Sequence, residues 1–101
     1  MIMRVWHGYT SPENAEAYEH LLKRDILPGI HRVRGYGGAW LLRRNKATEA
    51  EFIAITAWES WEAIEEFAGQ GHTGAVVPDK ARELLSRFDE HSTHYDAVWV
   101  P

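Results

Sequence analysis

The stretch FIAITAWESWEAIEEFAG, Phe52 to Gly69, decides the fold. Glu51 to Trp58 reads as a strand, because β-branched and aromatic residues crowd it without a turn signal. Its two faces are Phe52, Ala54, Thr56 and Trp58 on one side and Ile53, Ile55 and Ala57 on the other. Both are largely apolar, which is the mark of a central strand covered on both sides. The period then changes. Ser60 suits an N-cap, Trp61, Ile64, Phe67 and Ala68 recur at helical spacing, and Gly69 supplies the stop.

Upstream, NKATEA (residues 45–50) is a polar connector of hairpin length. It joins this strand to AWLLRR, Ala39 to Arg44, a second run of strand formers behind the glycine-rich turn Arg34–Gly38. Ile2 to Thr10 alternates and predicts the first strand. TSPE then opens a helix: Thr10 or Ser11 caps, Pro12 suits the first helical position, and Glu13 completes a capping box with Thr10. Tyr18, Leu21, Leu22 and Ile26 form its apolar stripe, and LPGI, with Pro28 and Gly29, predicts its end. Downstream, residues 69–78 form a glycine-rich loop, Asp79 to Phe88 a short third helix, and His91 to Val100 a last strand.

The order β-α-β-β-α-β predicts an α+β chain of the ferredoxin-like type, with helices on one face of an antiparallel sheet, spanning residues 1–101 as a single domain. Two helices cover one face only. The other face of the third strand is also apolar, and its simplest cover is the same face of a second copy. The expectation is a homodimer joined through the open sheet face, with Trp40 and Trp99 as dimer contacts and Trp58 at a rim or pocket mouth.

Composition narrows the function classes. A formal net charge of −4 argues against general nucleic-acid binding. No apolar run approaches the ~20 residues of a membrane span, and the N-terminus lacks the pattern of a signal peptide, so a cytoplasmic location is expected. Without cysteine there is neither disulfide nor thiolate chemistry.

Histidines are the candidate bases. His7 lies mid-strand beside Gly8, which leaves room for a ligand, and a histidine titrates near neutral pH. The alternative is a histidine hydrogen-bonded at a sheet end. His94, on the last strand, would approach His7 across the pair of strands if the register allows, either as a proton-handling pair or as a structural contact. His72 sits in the glycine-rich loop, as a lid residue or a solvated one. His91 and His94 are three apart on a strand and so face opposite ways, which is wrong for chelation, and no metal site is expected. Trp58, Trp61 and Phe67 are aromatic walls for a planar ligand or simply core, and Tyr18 and Tyr95 are hydroxyl donors to it or buried structural phenols. Arg4 is an anion hook if it faces the cavity.

RVWHGYT, GGAWLLRR, EFIAITAWESWEAIEEFAG and HYDAVWV together resemble the antibiotic biosynthesis monooxygenase family, a branch of the dimeric α+β barrel superfamily. The resemblance implies a dimeric barrel and, as its leading activity, oxidation of a planar aromatic such as an anthrone or hydroquinone by dioxygen without a cofactor. It also implies an alternative, haem binding or haem degradation. Members that open haem resemble one another in an Asn on the first strand, a Trp on the second helix and a His about ten residues further. Here those positions hold His7, Phe67 and Val77, with His72 the nearest histidine and the candidate axial ligand. A third reading within the same fold is a small-molecule binder or isomerase that never touches oxygen.

Overall fold

The computed structural model describes residues 1–69 and 73–101. Strands β1 (Ile2–Thr10) and β3 (Ala50–Trp58) pair antiparallel along their whole length, from Ile2 opposite Trp58 to Thr10 opposite Ala50. β2 (Tyr36–Asn45) flanks β3, and β1 carries β4 (Leu85–Phe88) at one end and β5 (Thr93–Asp96) at the other. The result is the expected α+β arrangement, a five-stranded antiparallel sheet in the order β2-β3-β1-β4 with helices on one face.

Even-numbered residues of β1 and β3 face the helices. Phe52 packs there with Tyr18, Leu22 and Ala81, and Trp58 with Ile2, Ile30 and Ile64. The two aromatics therefore anchor separate core clusters at opposite ends of one strand face. Between them stand Ala54 and Thr56, both small. Large side chains at the ends and small ones in the middle leave space under the helices.

Helix α3 (Trp61–Ala68) begins as the sequence predicts, since Ser60 Oγ accepts from the Ala63 amide at 3.2 Å. It ends at Gly69, whose φ of 85° suits glycine. The loop before β2 packs tightly on it: Gly35 has φ 87°, and a Cβ there would lie 2.5 Å from that of Ala63.

Three local expectations are corrected. LPGI does not stop the first helix. A 3₁₀ turn (Pro12–Asn14) leads into α1 (Ala15–Leu21), a π-helical turn (Leu22–Ile26) follows, and LPGI itself forms α2 (Leu27–Ile30). The wide turn restarts the hydrogen-bond ladder, so Pro28 falls in a first turn, where its missing N–H costs little. The third helix, α4 (Asp79–Leu84), is shorter than Asp79–Phe88, because Leu85–Phe88 leaves it to pair with Gly8–Thr10. Arg87 lies over the Tyr9 ring at 3.6 Å, and Ser86 Oγ donates to Tyr9 O. The last strand is likewise limited to Thr93–Asp96; Val98 and Trp99 beyond it are exposed. Among the described residues no helix is long and apolar enough to cross a membrane.

Candidate functional site

The space over Ala54 and Thr56 is a half-open cavity of about 330 Å³ between the sheet and the helices. Arg4 and Trp6 of β1 complete its floor. Tyr18 of α1, and Leu22, Asp25 and Ile26 of the π-helical turn, line it from above. Such widened turns recur at functional sites, because they turn extra side chains toward one place. Phe67 closes one side and Val76, Val77 and Pro78 another. A volume in this range holds a small organic ligand, and a mostly apolar wall with few polar groups is typical of such sites.

Arg4 is the charged group in this floor and is only 4% exposed. One guanidinium nitrogen donates to Gly74 O at 2.7 Å, and the other meets His94 Nε2 at 2.9 Å. A guanidinium only donates, so Nε2 accepts and the ring proton of His94 lies on Nδ1. Both partners come from the last third of the sequence. Arg4 sits opposite His94 in the β1–β5 register, and Gly74 is held by a bridge to His91 and by Ala75 N donating to Glu90 O. The guanidinium also lies 5.8 Å from the Phe67 ring centre. Burial lowers the Arg4 pKa, yet a guanidinium remains charged at any ordinary pH. Burial raises the Tyr18 phenol above its usual range, so its hydroxyl stays protonated and able to donate.

The candidates read from the sequence are distributed unevenly around this cavity. Arg4, Tyr18 and Phe67 line it. Trp58 is not at a mouth. It is wholly buried behind Phe67, with the two rings stacked at 5.1 Å and 26°. Trp61 is 42% exposed, its ring edge-on to His94 at 5.1 Å. Tyr95 is 57% exposed and lies opposite Met3, on the open side of the sheet. His72 lies outside the described residues.

His7 is not brought to the cavity. As an odd-numbered residue of β1 it points to the open face, where Nδ1 and the backbone amide both meet Asp89 Oδ2, at 2.8 and 3.1 Å. The expected approach of His7 to His94 fails for the same reason. The register sets His94 against Arg4, and parity puts the two histidines on opposite faces. Nor does Gly8 leave room for a ligand. The space is taken by the Trp6 indole, whose Cη2 would lie 2.5 Å from a Cβ at Gly8. Trp6 is held there by Nε1 donating to Asp89 O at 2.8 Å. Gly8→Ala is therefore expected to push the indole off both its hydrogen bond and the cavity wall. The expected cost, about 1–3 kcal/mol in a denaturant titration, is that of overpacking.

Sequence reasoning missed Thr56, Ser92 and the π-helical residues. The small pair Ala54 and Thr56 between Phe52 and Trp58 is the signal that would have located the cavity. The π-helical turn has no comparable signature.

Residues 1–79 match the family model described as antibiotic biosynthesis monooxygenase. Solved structures share the fold. A Bacillus cereus protein described as an antibiotic biosynthesis monooxygenase superposes with a TM-score of 0.69 at 15% identity, over 100% of this chain and 94% of that one. SnoaB, a cofactor-independent oxygenase from Streptomyces nogalater, gives 0.66 at 20% identity, over 98% and 94%. The haem degrader MhuD from Mycobacterium tuberculosis, with two haems in its active site, gives 0.63 at 20% identity, over 100% and 99%. No curated protein matches the chain.

Proposed function

The chain belongs to the antibiotic biosynthesis monooxygenase family, and we propose that it oxidises a planar aromatic of the anthrone or hydroquinone kind with dioxygen, using no cofactor. One observation carries this reading: a buried guanidinium, Arg4, set in the floor of a mostly apolar cavity, with the Asp25 carboxylate on the helix side opposite. An anthrone or hydroquinone is oxidised through its anion, whose charge gathers on a ring oxygen. A fixed cation in a site of low dielectric favours that anion far more than water does. The proton leaves through the open side of the cavity. The electron-rich anion of an anthrone then reacts with dioxygen at its ring CH carbon, so that one oxygen atom becomes a ring carbonyl and the other leaves as water. Thus a CH₂ group and O₂ give C=O and H₂O, whereas a hydroquinone and dioxygen give the quinone and hydrogen peroxide.

The chain's own residues hold the substrate and shape its ionisation. Phe67 and Trp6 offer aromatic surface to a planar ring. His94, accepting from Arg4, is a positioning residue that keeps the guanidinium aimed. His7, hydrogen-bonded to Asp89 on the far face, has no part in this step.

Haem fits these residues poorly. Among the described residues no histidine lines the cavity, and Tyr18 is held as the neutral phenol rather than the phenolate that binds iron.

The open sheet face supports the dimer expected from the sequence. Trp40 and Leu42 are half-exposed there, beside Val5, Ile53 and Ile55. Light scattering should give twice the chain mass. Ile55→Asp, a charge set in the middle of that face, should give the monomer with its sheet intact.

The test of the proposed reaction is oxygen uptake by metal-free protein with anthrone and a naphthohydroquinone, in an oxygen electrode. Uptake above the autoxidation rate, with the quinone as product, is the expected result. Tryptophan quenching by the same compounds without uptake would leave a binder and remove the oxygenase.

A further inference from the structure

The proposed reading seats a ligand oxygen at Arg4, and the cavity floor holds a second group beside it. Thr56 is the direct cross-strand partner of Arg4, so the two side chains leave the same sheet face side by side. Thr56 is buried and lines the cavity. Its Oγ1 accepts a hydrogen bond from Trp58 Nε1 at 2.8 Å. An indole N–H can only donate, so that side of the oxygen is committed. The indole cannot turn away, because Trp58 is wholly buried and stacked on Phe67. The hydroxyl still has one proton to give, and among the described residues no acceptor takes it.

We infer that Thr56 is the specificity-determining partner of Arg4: Trp58 holds its hydroxyl so that the proton is offered to a ligand oxygen in the cavity. The inference rests on the aromatic-binding reading above and names the residue that sets its selectivity. The pocket selects ring systems bearing an exocyclic oxygen, as carbonyl, enol or phenolate, over hydrocarbons of the same shape. Trp58 then acts at one remove. It is buried behind the wall and touches no ligand, yet it sets the direction of the hydroxyl that does.

Two probes isolate this oxygen. Anthrone and 9,10-dihydroanthracene share a three-ring frame and differ by the carbonyl. Each is titrated anaerobically into the whole chain, with tryptophan quenching as the readout, since Trp6 lines the cavity. The wild type is expected to bind anthrone the more tightly. Thr56→Val should weaken anthrone binding roughly tenfold, the worth of one hydrogen bond to a charged or charging oxygen, and leave dihydroanthracene unchanged. Thr56→Ser should restore most of the loss. Thr56→Val strands the Trp58 indole N–H in the core, so Thr56→Val with Trp58→Phe is measured beside it. Removing both partners is better tolerated than removing one, and the double variant should show the same loss of discrimination. If Thr56→Val binds both probes as the wild type does, the inference is wrong while the cavity reading stands. If the wild type binds neither probe, the aromatic-binding reading falls and this inference falls with it.

Discussion

Arg4→Met should lower oxygen uptake with anthrone by roughly 100- to 1000-fold, the usual effect of removing a donor aimed at a developing oxyanion. Methionine keeps the stem that packs beside Phe67 and removes only the charge and the donors. The loss should fall mainly on kcat, since the cation matters most once the substrate ionises. Arg4→Lys should recover part of the rate, because a point charge remains but the fork that reaches both Gly74 O and His94 Nε2 is gone. Removing the guanidinium leaves those two acceptors without their donor, which costs about 1–3 kcal/mol of stability. A thermal melt therefore accompanies the kinetics. A folded Arg4→Met protein with the wild-type rate would remove Arg4 from the reaction.

Phe52→Ala carries the largest expected effect on stability. Phe52 is wholly buried, edge-on to Tyr18 at 4.8 Å, with the Arg43 guanidinium 5.6 Å from its ring centre. Truncating a buried Phe costs about 3–5 kcal/mol, through lost burial and the cavity left behind. In a chain of this length each kcal/mol moves the melting temperature by roughly 4–8 °C, so a fall of about 15 °C or more is expected by calorimetry. Phe52 also seats Tyr18, a lining residue, so activity should fall with stability. A shift of less than about 5 °C would mean that the core around α1 collapses onto the gap.

The parts of the fold that were legible are those where local pattern and tertiary demand agree. Ile2–Thr10 alternates and Glu51–Trp58 is apolar on both faces along its length, and Ser60 and Gly69 mark both ends of α3. Where a local signal and a tertiary partner compete, the partner decides. Leu84, Leu85 and Phe88 fit a helical stripe, but β1 offers Leu85–Phe88 an unpaired edge. Pro28 and Gly29 are strong breakers, yet a π-helical turn ahead of them lets the helix restart.

The site was legible residue by residue but not as an assembly. Arg4, Tyr18 and Phe67 stand out in the sequence by their chemistry, and the structure brings them together. His7 beside Gly8 reads equally as a base or as a hydrogen-bonded sheet-end histidine, and parity sends it to the other face. One residue of register separates those outcomes, and no composition rule supplies that register. His94 illustrates the same point from the other side: its neighbour across the strands is Arg4, not His7.

The central claim is that Arg4 holds the oxygen of an aromatic ligand as its anion, and an absorption spectrum tests it without any turnover. Anthrone is mixed with the protein under argon, in buffer below the pH at which free anthrone ionises. The account predicts that the visible band of the anthrone enolate appears with the wild type and is absent with Arg4→Met. Tight binding with the spectrum of the neutral ketone, or an enolate band that survives Arg4→Met, would contradict it.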